Sequence, residues 1–211
     1  MRRLPVYLLL DTSTSMTGEP IAAVRNGLDL LVSTLRQDPY ALETAYLSII
    51  TFDNDARQVV PLTELADFQV PQIEATGMTA LGAALTLAGE AMFREVQRAS
   101  KDQRGDWKPI VFLMTDGMPN DDWEAALDTF RAAKPGMVVA CGAGPQADRT
   151  TLEQITESVV MLDTADASTI SAFFKWVSAS ISTSSQKVDL RKDDIGTLDE
   201  LPPPPPEIRL T

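Results

Sequence analysis

Three oxygen-bearing side chains stand at alternate positions of one short stretch, DTSTS, at residues 11–15. In an extended loop, residues i, i+2 and i+4 point the same way, so the side chains of Asp11, Ser13 and Ser15 are predicted to converge. A carboxylate and two hydroxyls are the kind of oxygen ligand that hard divalent cations prefer. Because such a stretch is more often only a turn and helix cap, the case for a metal depends on other motifs.

A second carboxylate and a further hydroxyl occur in two later motifs. Asp116 follows an apolar run in the stretch MTDG, and Thr79 lies in the glycine-flanked stretch GMTALG. Each of these is by itself a common turn or helix start. If the strands before Asp11 and Asp116 are neighbours, the two carboxylates face each other and repel unless a cation lies between them. Together the three motifs predict a cation site formed by Asp11, Ser13, Ser15, Thr79 and Asp116.

The composition of the 211 residues narrows the chemistry of such a site. There is no histidine, which excludes imidazole-based catalysis and histidine-ligated zinc, copper or haem. The single cysteine allows neither an internal disulfide nor a thiolate zinc cluster. A metal must therefore be held by oxygen, which favours Mg²⁺, with Mn²⁺ and Ca²⁺ as alternatives. The formal net charge of −12 opposes binding to nucleic acid or to an anionic membrane surface.

The elements that must position these motifs alternate between strands and helices. Continuous apolar runs such as residues 4–10 and 110–114 are typical of strands buried on both faces of a parallel sheet. Residues 57–62 follow residues 45–52 after a short polar turn and contain Pro61, which predicts a hairpin and an antiparallel edge strand. The predicted fold class is α/β: a doubly wound, Rossmann-like, mostly parallel six-stranded sheet with one antiparallel edge strand and helices on both faces. The predicted strands are 4–10, 45–52, 57–62, 110–114, 137–141 and 159–162, and the predicted helices lie near 21–35, 81–96, 123–130, 152–155 and 170–181.

The two ends of the chain differ in character from the alternating middle. The start, MRR before an apolar run, superficially resembles a secretory signal, but Asp11 interrupts the run and no small-residue cleavage site follows, so a cytoplasmic protein without membrane insertion is predicted. Residues 1–181 are predicted to form one domain and residues 182–211 a serine-rich, charged and proline-rich tail. The prolines Pro202–Pro206 are predicted either to dock into an aromatic groove of a partner or to form a solvated tail or a strap along their own domain. Of these, the tail or strap is the commoner outcome.

The five predicted ligands match the metal-ion-dependent adhesion site (MIDAS) of von Willebrand factor A (VWA) domains at every position. The wider stretches RRLPVYLLLDTS, GMTALGAAL and VFLMTDGMPND resemble the TerY branch, the bacterial A-domain proteins of tellurite-resistance clusters. The resemblance covers about residues 4–180. It implies that the hydroxyls of Ser13 and Ser15 bind Mg²⁺ directly and that Thr79 binds directly or through water. It also implies that Asp11 and Asp116 act mainly through water and orient the hydroxyls.

The function that this resemblance implies is docking rather than catalysis. A cytosolic A domain would capture an Asp or Glu of a partner protein at its Mg²⁺ site, as a scaffold or regulator in a tellurite-resistance, stress-response or phage-defence complex with protein kinase or phosphatase partners. An adaptor for a AAA-type ATPase is one alternative. A Mg²⁺-dependent phosphoryl-transfer or hydrolytic enzyme is another, although the chain has no histidine and no glycine-rich phosphate loop.

Other conspicuous residues have simpler interpretations. Asp121 and Asp122 precede a helix and are predicted to cap it rather than to line the metal site. Asp53 and Asp55 are predicted to be hairpin-turn residues. Cys141 lies in an apolar run and is predicted to be a core residue. Trp107 precedes Lys108 and Pro109, and the sequence does not decide between two roles for it, a surface contact or a lid on the sheet.

Overall fold

The central strands of the sheet are the two that precede Asp11 and Asp116. The computed structural model describes residues 2–100, 104–187 and 200–210, and within these ranges seven strands form one sheet. The strands are β1 Leu4–Asp11, β2 Ala45–Phe52, β3 Ala56–Glu64, β4 Ile110–Thr115, β5 Met137–Ala143, β6 Val159–Leu162 and β7 Ile208–Leu210. Their order across the sheet is β3-β2-β1-β4-β5-β6-β7. Strands β1, β2, β4, β5 and β6 are parallel, which confirms the doubly wound α/β architecture.

Helices cover both faces of this sheet. Because side chains alternate across a strand, Leu8 of β1 contributes to the core under one helix layer and Leu9 to the core under the other. The helices are α1 Glu19–Leu35, α2 Pro39–Thr44, α3 Leu81–Glu95, α4 Trp123–Ala132, α5 Arg149–Ile155 and α6 Ala167–Lys187. The first layer contains α1, α2 and α6, and the second contains α3, α4 and α5. A Cβ atom on Gly27 would lie 2.3 Å from the Phe174 ring, so glycine lets α1 and α6 pack closely.

The two edges of the sheet are both antiparallel, where the sequence predicted only one. Strand β3 pairs with β2 through a hairpin and carries Pro61 at the outer edge, as expected. Strand β7 adds a seventh strand beside β6, so the predicted six strands and single antiparallel edge were wrong. Local pattern could not reveal β7, because three residues carry no periodicity and their partner lies far away in sequence.

The proline-rich segment lies along its own domain in the described range 200–210. Leu201 and Ile208 are buried, and the indole Nε1 of Trp176 donates to the carbonyl of Pro202 at 2.8 Å. Helix α6 also passes the predicted boundary at residue 181 and extends through Lys187, the last residue described before the gap. Two of its serines donate to carbonyls one turn earlier, Ser178 Oγ to Phe174 and Ser180 Oγ to Trp176, both at 2.8 Å. The charged stretch DLRKDD lies outside the described residues.

Local sequence also fixes where the first two helices begin. Helix α1 follows Gly18, whose φ of 89° suits glycine. Helix α2 follows Asp38, whose carboxylate accepts from the amide of Tyr40 at 2.9 Å. No helix within the described ranges is long and apolar enough to cross a membrane.

A network of paired charges lies near the amino end of the sheet. Arg3 donates to the Asp106 carboxylate at 2.9 Å from Nε and 2.5 Å from Nη2. The carboxylate of Glu95 accepts from the Tyr7 hydroxyl at 3.0 Å and from the Gln58 amide at 2.9 and 3.0 Å. Although the Asp106 side chain is only 3% exposed, its charge is compensated within the protein.

Candidate metal centre

The two candidate carboxylates lie at the carboxyl ends of neighbouring strands. Strands β1 and β4 pair in parallel, with Leu10 opposite Met114, so Asp11 and Asp116 emerge at the same edge of the sheet. In a doubly wound sheet this edge is where ligands bind. Asp11 is fully buried and Asp116 is 7% exposed, which places both carboxylates largely away from bulk water.

A continuous chain of hydrogen bonds joins four of the five predicted ligands. The Asp11 carboxylate accepts from the amide of Ser13 at 2.8 Å, and the hydroxyls of Ser13 and Ser15 lie 2.9 Å apart. Ser15 Oγ then donates to Asp116 at 2.7 Å. The hydroxyls of the two threonines between these residues bond elsewhere. Thr12 Oγ1 donates to the carbonyl of Phe52 at 3.1 Å, and Thr14 Oγ1 donates to the carbonyl of Gly77 at 2.8 Å. The structure therefore brings Asp11, Ser13, Ser15 and Asp116 together.

Thr79 approaches the same place from the loop before α3. The backbone of this loop is fixed to the first motif, because the amide of Thr14 donates to the carbonyl of Gly77 at 3.0 Å. A Cβ atom on Gly117 would lie 3.5 Å from Thr79 Oγ1, so the Thr79 hydroxyl faces the backbone beside Asp116. Helix α3 begins at Leu81 with Ala80 as its N-cap residue, so Thr79 lies before the cap position in the loop that faces Asp116.

Thr115 is a member of the cluster that the sequence analysis missed. Its hydroxyl donates to Asp11 Oδ2 at 2.5 Å and accepts from the amide of Gly117 at 3.3 Å. It thus holds the second carboxylate oxygen of Asp11, while the amide of Ser13 holds the first. The available signal was a polar residue at the end of an otherwise apolar strand, immediately before Asp116.

Two residues of the loop after β4 join the motifs to each other. Asn120 Oδ1 accepts from the amide of Thr79 at 2.9 Å. The carboxylate of Asp121 accepts from the amides of Gly82 and Ala83, both at 2.9 Å, and so caps α3. The sequence predicted that Asp121 would cap the helix that follows it. That role belongs only to Asp122, which accepts from Ala125 at 3.3 Å.

Burial determines the electrostatics of the two acids. Desolvation raises the pKa of Asp11, with a smaller contribution from the charge of Asp116 and partial compensation by hydrogen bonds from Ser13 and Thr115. Burial likewise raises the pKa of Asp116, against the hydrogen bond from Ser15. No Arg or Lys among the described residues forms an ion pair with either carboxylate. Among the described residues, the cluster is therefore a set of oxygens that carries negative charge and is paired with no cationic side chain.

This donor set fits a hard divalent cation. Carboxylates and hydroxyls are oxygen ligands, and hydroxyls leave part of the cation's charge uncompensated. Within the described ranges, no group of three or more His, Cys, Asp or Glu side chains could hold a metal ion. A site of this composition therefore depends on Ser and Thr hydroxyls as much as on acids.

The remaining singled-out residues have structural roles. Asp53 and Asp55 lie in the hairpin turn, where they accept from the amides of Asn54 and Ala56 at 2.6 and 2.8 Å. Cys141 is fully buried in β5, and burial raises the pKa of its thiol. Trp107 is 1% exposed and packs beneath the Arg2 guanidinium, 4.6 Å from the ring centroid, as a buried lid rather than a surface contact.

Comparisons with known proteins agree with this architecture. A model of the von Willebrand factor type A domain matches residues 6–175. An uncharacterised protein of Synechocystis, sll0103, is 31% identical over 123 residues, which are 55% of this chain and 26% of that protein.

Solved structures show the same fold. The von Willebrand factor type A structure from Catenulispora acidiphila superposes with a TM-score of 0.67 at 19% identity, over 86% of this chain and 43% of that one. Proximal thread matrix protein 1 from the mussel byssus, with a zinc-occupied MIDAS motif, superposes with a TM-score of 0.60 at 21% identity, over 87% and 46%. The chain spans about a quarter of the Synechocystis relative and less than half of each of these structures.

Proposed function

The chain belongs to the von Willebrand factor type A domain family, and on that premise we propose that it docks a carboxylate of a partner protein through a divalent cation. Domains of this family are generally interaction modules rather than enzymes. The observation that carries the proposal is the hydrogen-bonded chain from Asp11 through Ser13 and Ser15 to Asp116, two buried acids with hydroxyls between them. A bound cation would compensate the negative charge of these two buried carboxylates and reduce their mutual repulsion.

The proposed ligand set is Asp11, Ser13, Ser15, Thr79 and Asp116. Ser13 and Ser15 bind the cation through their hydroxyls, and Thr79 binds directly or through water. Asp11 and Asp116 orient these hydroxyls and contribute charge, mainly through water. When bound, the cation supplies an electrophilic position at which an Asp or Glu oxygen of the partner replaces water.

Mg²⁺ is the proposed ion, with Mn²⁺ and Ca²⁺ as alternatives. An all-oxygen site rich in hydroxyls suits a small hard cation. The mussel protein carries zinc in its MIDAS, so Zn²⁺ belongs among the ions to be compared.

We further propose a cytoplasmic scaffold or regulator of the TerY type, acting in a tellurite-resistance, stress-response or phage-defence system with kinase or phosphatase partners. Its support is the resemblance of the stretches RRLPVYLLLDTS, GMTALGAAL and VFLMTDGMPND. An adaptor for a AAA-type ATPase uses the same metal chemistry and differs in the partner. Affinity capture from the native host, with wild type and Asp11→Ala in Mg²⁺ and in EDTA, distinguishes these partners by mass spectrometry.

The metal site is tested by isothermal titration calorimetry. The double variant Ser13→Ala/Ser15→Ala is expected to lose Mg²⁺ binding while keeping the wild-type circular dichroism spectrum. The matched control is Thr14→Val, which removes a hydroxyl of the same loop that bonds to Gly77 instead of facing the cluster. Unchanged Mg²⁺ affinity in the double variant contradicts the ligand assignment.

The docking step is tested with a pentapeptide, acetyl-Gly-Ser-Asp-Ser-Gly-amide, and its Asn counterpart. We expect NMR titration to show binding of the Asp peptide only, only with Mg²⁺, and not to the Ser13/Ser15 double variant. Turnover of a phosphoester by the purified protein, lost in Asp116→Asn, would instead support the Mg²⁺-dependent enzyme.

A further inference from the structure

Two methionines flank the candidate metal centre in an unusually exposed state. Met78 is 56% exposed and Met118 is 68% exposed, the highest values among the described large hydrophobic side chains. Methionine is normally a core residue, as Met16 and Met114 are here, at 0% and 1%. We call Met78 and Met118 the methionine rim.

The rim is attached to the same two loops that carry Thr79 and Asp116. Met78 directly precedes Thr79, and Met118 follows Asp116 by two residues. Asn120 ties these loops together, since its amide N–H donates to the carbonyl of Thr79 at 3.1 Å and its side-chain oxygen accepts from the amide of Thr79. The backbone beneath the rim is therefore fixed, while the two thioether side chains extend into solvent.

The polar atoms around the rim are engaged within the protein. Asn54 Oδ1 accepts from the amide of Met78 at 3.1 Å, and Asn120 Nδ2 lies 3.6 Å from Met78 Sδ. On the loop after β4, both carboxylate oxygens of Asp121 accept from the amides of Gly82 and Ala83. In a chain of net charge −12, the two most exposed large apolar side chains among the described residues thus belong to the loops of Thr79 and Asp116.

Resting on the proposed docking function, we propose that the methionine rim selects partner segments in which the docked acid lies between large apolar side chains. A carboxylate that reaches the site between the loops of Thr79 and Asp116 brings its neighbouring residues against Met78 and Met118. Burial of these apolar surfaces favours Leu-type neighbours, and further acids are disfavoured by the charge of the domain. Flexible thioethers adapt to different apolar shapes, so the rim selects a chemical class and not one sequence.

The test compares acetyl-Gly-Leu-Asp-Leu-Gly-amide with the Ser-flanked pentapeptide in saturating Mg²⁺. Binding is followed by NMR of methyl-labelled methionine, with the two rim signals assigned from Met78→Gln and Met118→Gln. We expect the Leu-flanked peptide to bind about fivefold more tightly and to shift both rim signals.

In the double variant Met78→Gln/Met118→Gln, both peptides should bind with the affinity that the wild-type protein shows for the Ser-flanked peptide. The control, Leu42→Gln, changes an exposed apolar residue on α2, at the other end of β2, and should preserve the preference.

The outcomes separate this inference from the docking proposal. Equal, Mg²⁺-dependent affinity for both peptides overturns the role of the rim and leaves docking intact. A preference for Leu that survives EDTA or the Ser13/Ser15 double variant also overturns it, because the peptide then binds elsewhere. Rim signals that shift when the protein alone is concentrated assign the rim to self-association and overturn it too. Absence of any Mg²⁺-dependent binding overturns the docking function and this inference with it.

Discussion

Buried acids occur at both ends of the sheet, and the protein treats them in opposite ways. At the amino end, Asp106 is bonded to the Arg3 guanidinium, and Glu95 lies 3.6 Å from Arg94 and accepts from Tyr7. At the carboxyl end, Asp11 and Asp116 are bonded only to hydroxyls and amides among the described residues. In the part of the chain that the structure describes, the first group has a cationic partner and the second has none.

This difference distinguishes an acid that stabilises the fold from an acid kept for a ligand. A buried carboxylate with an internal cation contributes nothing to binding, because its charge is already neutralised. A carboxylate that is buried without a cation lowers the stability of the fold. Such a residue is typical of a functional site, where a bound ligand supplies the missing counter-charge. The comparison predicts that substitutions at the two ends change stability in opposite directions.

The largest expected effect is at the amino end. Arg3→Met leaves Asp106 buried without its cation and should lower the free energy of unfolding by about 3 kcal/mol, measured by urea denaturation. The control is Arg149→Met, which removes an exposed pair with Glu153 and should cost less than about 0.5 kcal/mol. Equal losses in the two variants would show that the burial of Asp106 adds nothing to the importance of its cation.

A smaller effect is expected from Mg²⁺ at the carboxyl end. At about 100 times its Kd, Mg²⁺ should raise the free energy of unfolding by about 2.7 kcal/mol, because it binds the folded state only. Denaturation in Mg²⁺ and in EDTA measures this difference. Thr14→Val should keep the stabilisation and Ser13→Ala/Ser15→Ala should lose it, whereas stabilisation of the double variant would place the ion elsewhere.

The smallest effect is the removal of one uncompensated charge. Because burial raises the pKa of Asp116 in the folded state, its ionised form opposes folding at neutral pH. Asp116→Asn keeps an acceptor for Ser15, so in EDTA it should raise the free energy of unfolding by about 0.5 kcal/mol while it weakens Mg²⁺ binding. Asp122→Asn, at the exposed cap of α4, should change neither, since Asn caps as well as Asp. A loss of stability in metal-free Asp116→Asn contradicts the proposed imbalance.

The parts of the fold that could be predicted are those determined by residues close together in the sequence. The alternation that groups Asp11 with Ser13 and Ser15 spans five residues, and the apolar run of β1 specifies burial on both faces. The juxtaposition of Asp11 and Asp116 followed from one topological rule about where parallel strands end.

The parts that were missed depend on residues far apart in sequence. Asp121 caps α3 rather than the helix that follows it, and Thr115 reaches Asp11 across two strands. The same holds for β7, whose three residues become a strand only beside β6. Methionine exposure at 78 and 118 was equally invisible, because a single apolar residue in a loop has no period from which burial can be predicted.

The pairing of β7 with β6 also affects how copies of the chain meet one another. An uncovered strand edge presents a row of N–H and C=O groups that can recruit a strand from another molecule. Here β7 occupies the outer side of β6 with only three residues, and at the opposite edge Pro61 removes one donor from β3. The shortness of β7 and the missing donor at Pro61 both disfavour extended strand pairing between copies of the chain.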